Sequence, residues 1–214
     1  PKDKIIYDVG HQCYVHKLLT GRMDQFASLR QLDGLSGFPR PWESPHDAFI
    51  GGHASMSISA ALGMARARTL RGEDHSVVCV IGDGEADEGQ VWEAFHFAYA
   101  HKLDNIIYFI DNNGYQLDGP TDDILAHGDL AKKAESFGLY TQEIDGHDVQ
   151  AIYDAIQNAY AKKGVPSCIV LDTCKGKGAT FAEPKHDHSS QPNEEQWAEA
   201  IAASEKALEA VKNA

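Results

Sequence analysis

Short, nearly continuous apolar runs alternate along this chain with stretches in which apolar residues recur at helical spacing. Residues 4–9, 77–81, 105–110, 139–144 and 167–173 are rich in Val, Ile and Leu and bounded by Gly, Asp or Asn, the pattern of buried strands. Residues 48–50 read as one more short strand. Between the runs, Ile58, Leu62 and Ala65 lead a helical stripe to Leu70, and Val91, Phe95 and Ala98 form another. Residues 125–137 and 148–163 follow, the latter with Ile152, Ile156 and Ala159 on one face and with Gly164 and Pro166 as its stop. Residues 17–32 carry short helical signals. A last helix spans about 194–212, with Asn193 and Gln196 as a capping box. Its stripe of Trp197, Ile201, Leu208 and Val211 packs on the home domain or on a partner chain. Apolar strands alternating with helices predict an α/β fold: a parallel sheet with helices on both faces and ligand loops at the strands' carboxyl ends.

Length and composition narrow this picture. At 214 residues and 43% hydrophobic, the chain suits one domain over 1–214. It opens at Pro1 almost directly into a strand, which suggests a missing upstream segment. A formal net charge of −13, with no basic patch, disfavours nucleic acid and anionic membranes as partners. No run of 18 apolar residues and no signal-peptide pattern is present, so neither membrane insertion nor export is indicated. Cys13, Cys79, Cys168 and Cys174 lack metal-ligand or redox spacing, and two of them lie inside strands, which reads as a reducing, cytoplasmic setting. Residues 35–46, with Gly37, Pro39, Pro41 and Pro45, form a long irregular loop expected on the substrate side or at an interface.

The chemistry concentrates after two of the strands. Gly82-Asp83-Gly84 breaks the run 77–81, and Asn113 follows the run 105–110, so two neighbouring strand ends can each deliver an oxygen ligand to one point. One carboxylate, one carboxamide and a backbone carbonyl suit Mg2+, which usually keeps phosphate oxygens in its shell. Asp83, Asn113 and the carbonyl of Tyr115 are the expected metal ligands. Gly82 and Gly84 allow close approach of backbone to phosphate, and the next helix offers amide donors. The implied ligand is a diphosphate, with Lys175 or Lys177 as a cationic contact. The alternative is structural: Asp83 caps the helix and Asn113 supports a turn.

GDG and NN at this spacing, with EGQVWEA and NNGYQLDGPT, resemble the transketolase group of thiamine diphosphate enzymes. YDVGHQCYVHKLLTGR and GGHASMSISAALGMA are more similar to 1-deoxyxylulose-5-phosphate synthase, a neighbour in the same superfamily. The resemblance covers nearly the whole chain and implies a thiamine diphosphate-binding fold that holds the diphosphate and Mg2+. It implies cofactor contacts from Gly52, His53, Ala54, Gly82, Asp83, Gly84, Glu85 and Asn113. His53 alternatively bonds a backbone carbonyl at the helix start. Members of the group place a histidine after the KGKG loop, four residues before a proline; His188, ahead of Pro192, matches and is the implied catalytic and cofactor-binding histidine. Asp187 and Ser189 stand where the group has tryptophan and glycine, so His186 remains a rival, and the pair could also bind a transition metal or be solvated. His11 either faces the crevice or bonds backbone. Glu88 is either an interface residue or a helix-start acid.

The group also uses a glutamate from a second, pyrimidine-binding domain, for which nothing after Lys175 has the strands or the length. The resemblance therefore implies the N-terminal subunit of a split transketolase, completed by a C-terminal subunit as a homodimer or heterotetramer. Such an enzyme moves two-carbon ketol units between sugar phosphates in the pentose phosphate pathway. A 1-deoxyxylulose-5-phosphate synthase-like fragment and a cofactor-binding module without turnover are the other readings. Glu85, Glu88, Gln90 and the short connection from Asn113 to Leu125 argue against the synthase.

Overall fold

The computed structural model describes residues 2–9, 13–186 and 188–213. His11, with Gly10 and Gln12, and Asp187 lie outside the described residues. Five strands form one sheet: β1 (Lys4–Tyr7), β2 (Val77–Gly82), β3 (Ile106–Asn112), β4 (Tyr140–Asp145) and β5 (Ser167–Asp172). All pairings are parallel, in the order β1-β2-β3-β5-β4. The helices are α1 (Tyr14–Lys17), α2 (Met56–Arg71), α3 (Gly89–Ala100), α4 (Thr121–Leu125), α5 (Leu130–Ser136), α6 (Val149–Ala161) and α7 (Glu194–Lys212).

Strand alternation sorts the core into two layers. Val77, Cys79 and Ile81 of β2 and Ile106, Tyr108 and Ile110 of β3 share a cluster with Ile58, Ala61 and Ala65 of α2, Val91, Phe95 and Ala98 of α3 and Ala134 of α5. The intervening residues Ile107, Phe109 and Ile169 point the other way, against Ala155 and Ala159 of α6. The predicted α/β fold with both faces covered is the observed one. Register places Gly82 opposite Asp111, so the chain leaves β2 and β3 side by side at one edge.

Three elements depart from the sequence pattern. Residues 48–50 form no strand, and Ile50 is 44% exposed. The predicted helix 125–137 is shortened to α5: α4 already ends at Leu125, Gly128 takes a left-handed φ of +63°, and Asp129 starts α5 by accepting the Lys132 amide at 2.9 Å. After α1, a π-helical turn (Leu18–Arg22), broken internally at Gly21 with φ +86°, and a 3-10 segment (Met23–Ser28) replace a regular helix.

Residues 29–55 carry neither helix nor strand. Buried ion pairs shape this segment. Asp47, 3% exposed, accepts two guanidinium hydrogen bonds from Arg22 at 2.6 and 2.9 Å and the Arg40 amide at 2.9 Å. His16 Nε2 lies 3.1 Å from the same carboxylate. Lys17, fully buried, donates to Glu43 at 2.8 Å, and the other Glu43 oxygen accepts the Ser36 amide at 2.8 Å. Burial alone would raise the Asp47 pKa, but the bonds from His16, Arg22 and the Arg40 amide outweigh it and hold the carboxyl well below the usual range.

The capping box of Asn193 and Gln196 is present at the start of α7. Of this helix only Ala200 is buried; Trp197 meets Phe181 edge-on at 5.3 Å, while Ile201, Leu208 and Val211 are exposed. Among the described residues no helix is long and apolar enough to cross a membrane.

Candidate functional site

Asp83, 1% exposed, ties the two central strand ends together. Its Oδ1 accepts the Gly84 amide at 2.8 Å, its Oδ2 accepts the Gly114 amide at 2.6 Å, and its own amide donates to the Asp111 carbonyl at 3.0 Å. Asn113 folds the second loop through an Asx-type bond, its Oδ1 accepting the Tyr115 amide at 3.0 Å. Gly114, at φ +73°, supplies the left-handed residue of that turn. The Tyr115 ring stacks on His186 at 4.3 Å and 17°.

Negative charge accumulates at this edge. Glu85 accepts the Gly82 amide, and burial, seconded by Asp8, Asp83 and Asp111, pushes its pKa up to about 7. Burial also raises Asp83 and Asp8. Asp8 is fully buried and accepts the amides of Ser55 and, at 2.9 Å, Ser57, capping α2 from the end of β1. Asp111 accepts the Thr173 hydroxyl. Facing these carboxylates is Lys175, whose Nζ donates to the Gln116 carbonyl at 3.4 Å and lies 3.3 Å from His188 Nδ1. Burial lowers the Lys175 pKa while Asp83 and Asp111 oppose that shift. Lys177, the other predicted contact, pairs with Glu183 at 3.2 Å instead. Burial, then Lys175 and Arg30, lowers the His188 pKa and favours its neutral imidazole.

The remaining predicted residues fall around this centre. Gly52, His53 and Ala54 are exposed in the loop beyond β1, anchored by the Gly52 amide to the Asp8 carbonyl at 2.9 Å. Gln90 of α3 donates to the Ser55 carbonyl at 3.1 Å and to Ser59 at 2.8 Å, fastening that loop beside the GDG turn. His53 Nδ1 lies 3.4 Å from the Ala54 carbonyl oxygen. Glu88 is exposed. The Gly82 and Gly84 amides donate to Glu85 and Asp83, and α3 begins at Gly89, after a 3-10 turn over Glu85–Asp87. Gly84 is required on steric grounds, since a Cβ there would come 2.9 Å from the Gln116 Cβ.

Sequence reasoning missed Asp8, Gln116 and His147. The first follows a strand directly, which is a usable signal. His147 Nε2 accepts the Cys174 amide at 2.8 Å across separate loops, which leaves none. No group of three or more His, Cys, Asp and Glu is arranged to hold a metal among the described residues. The donors that do converge, a buried carboxylate and a carboxamide turn among further uncompensated carboxylates, fit a hard divalent cation completed by phosphate oxygens.

A parallel five-stranded sheet flanked by helices in this way is the fold of the diphosphate-binding domain in transketolase-like, thiamine diphosphate-dependent transferases. The sequence profile of the 1-deoxy-D-xylulose-5-phosphate synthase family matches residues 1–120, more than half of the chain, and the chain belongs to that family. The synthase of Pelotomaculum thermopropionicum is 42% identical over 231 aligned positions, covering 87% of this chain and 36% of the relative. That of Symbiobacterium thermophilum is 37% identical, covering 90% of this chain and 37% of the relative. Transketolase from Campylobacter jejuni superposes with a TM-score of 0.77 at 27% identity, covering 86% of this chain and 31% of the other. Transketolase from Pichia stipitis in complex with sedoheptulose-7-phosphate gives 0.77 at 26% identity, covering 83% and 29%. The chain thus spans little more than a third of the curated relatives it matches.

Proposed function

We propose that this chain is the diphosphate-binding part of a thiamine diphosphate-dependent transferase that moves a two-carbon ketol unit between sugar phosphates. The observation that carries the reading is the meeting of Asp83 and the Asn113 turn at the ends of β2 and β3, with Lys175 from the loop after β5 beside them. In this reading Asp83, Asn113 and the Tyr115 carbonyl hold Mg2+, and Mg2+ and Lys175 together offset the diphosphate and the buried carboxylates. Gly52, His53 and Ala54 line the same edge from the α2 side. Bound thiamine diphosphate supplies a thiazolium carbon that serves as nucleophile and electron sink. His188, neutral and adjacent to Lys175, can orient the substrate or exchange a proton with it.

A pyrimidine-binding domain, carried by a separate C-terminal subunit, completes the site in this reading, and exposed Glu88 faces it. The match over residues 1–120 and the names of the relatives favour a second reading, condensation of pyruvate with glyceraldehyde phosphate. The short connection between Asn113 and α4 (Thr121–Leu125) favours ketol transfer in this reading. Reconstitution with a pyrimidine-binding subunit, thiamine diphosphate and Mg2+, assayed with xylulose 5-phosphate plus an aldose phosphate acceptor and in parallel with pyruvate plus glyceraldehyde phosphate, separates the two. Turnover of the ketose phosphate without carbon dioxide release supports ketol transfer. Carbon dioxide release from pyruvate in the presence of glyceraldehyde phosphate supports the synthase, and neither activity overturns both.

A further inference from the structure

We propose that the side-chain amide of Gln116 is a direct hydrogen-bond donor to the diphosphate, which deepens the proposed function and rests on it. Gln116 Nε2 is buried and has no hydrogen-bond partner among the described residues. An orphaned buried donor costs about as much as a lost hydrogen bond, so it marks a place where a ligand completes the structure. Gln116 sits where the three ligand loops meet. Its side chain lies against the backbone of Gly84, where a Cβ would be 3.2 Å from its Oε1; its backbone carbonyl receives Lys175 at 3.4 Å; its backbone amide donates to the Gly119 carbonyl at 2.9 Å.

The Asp83 acceptors of the adjoining turn are already engaged. Both Asp83 oxygens hold amides, from Gly84 and Gly114, and Glu85 holds that of Gly82. A bound ligand can bring the missing acceptor, and a phosphate oxygen next to the Asp83 cation site is such an acceptor. A neutral donor also suits the charge balance, because a carboxylate at 116 would join Asp8, Asp83, Glu85 and Asp111.

Calorimetric titration of thiamine diphosphate with Mg2+, and separately of inorganic pyrophosphate with Mg2+, into the full chain and its Asp83→Ala, Gln116→Met and Gln116→Glu variants, each mixed with the pyrimidine-binding subunit, tests this. Both ligands should weaken by about tenfold or more in Gln116→Met, and further in Gln116→Glu. The ligand-free melting temperature of Gln116→Met should stay that of the parent, since Nε2 has no bond to lose. Unchanged affinity for both ligands, or weakening of thiamine diphosphate alone, overturns the assignment while leaving the diphosphate reading intact. A lower ligand-free melting temperature in Gln116→Met marks a structural role and also overturns it. Failure of the parent chain, mixed with the pyrimidine-binding subunit, to bind either ligand overturns the diphosphate reading, and this inference with it.

Discussion

The carboxylate of Asp83 reaches across from the end of β2 to accept the amide of Gly114 beyond the end of β3, at 2.6 Å. One side chain therefore fixes the spacing of two ligand loops as well as offering charge. Asp83→Ala is expected to weaken Mg2+-dependent binding of thiamine diphosphate by about a hundredfold or more. Calorimetry with and without chelator reads this, and unchanged Mg2+-dependent affinity would remove Asp83 from the metal site.

The two lysines of the KGKG loop should part company. Lys175→Met is expected to weaken diphosphate binding by about tenfold, through loss of a charge-assisted contact. Lys177→Met should leave affinity alone, because Lys177 holds an exposed pair with Glu183 worth at most about 1 kcal/mol. Equal effects in a competition titration with pyrophosphate would refute the distinction.

For the histidines, His188→Ala should lower kcat/KM of the reconstituted enzyme by about a hundredfold or more. His186→Ala removes the ring stacked on Tyr115, a contact worth about 1 kcal/mol. Its expected signature is weaker Mg2+ affinity with kcat nearly unchanged. The reverse pattern in steady-state kinetics would exchange the two assignments.

Asp47→Asn should destabilise the fold by about 3–5 kcal/mol at neutral pH, because it leaves Arg22 buried beside a neutral partner. The folded carboxyl has a depressed pKa, so the unfolded chain takes up its proton first as pH falls. Its contribution is present above the unfolded value near 4 and fades below it. Urea denaturation of parent and variant should therefore show a gap at pH 7 that narrows by about pH 3. A gap constant with pH would mean that the loss arises from packing.

What the sequence disclosed follows from how local each cause is. The five strands are legible because β-branched runs between turn residues depend on near neighbours, and the capping box of α7 is three residues long. The break at Gly128 was within reach, since a glycine followed by an aspartate is a stop and a start. Residues 48–50 resemble a strand only in composition; they pair with none of the five strands, and Gly52 beyond them bonds the chain just after β1, at the Asp8 carbonyl. The Asp47 cluster joins groups far apart in the chain, and no periodicity reports such pairing. The site divides in the same way: Asp83 and Asn113 announce themselves by motif, whereas Asp8 and Gln116 acquire their roles from what the fold places against them.

The segment over residues 29–55 has a thermal consequence. Its shape is held by desolvated ions, and the penalty for removing ions from water shrinks as temperature rises, while the benefit of burying apolar surface levels off. On heating, the chain should loosen first at α7, where little is buried, and the segment beside the ligand loops should hold its outline longer. Hydrogen exchange followed across a temperature series would show the order, amides of α7 losing protection well before those of Ser36 and Arg40.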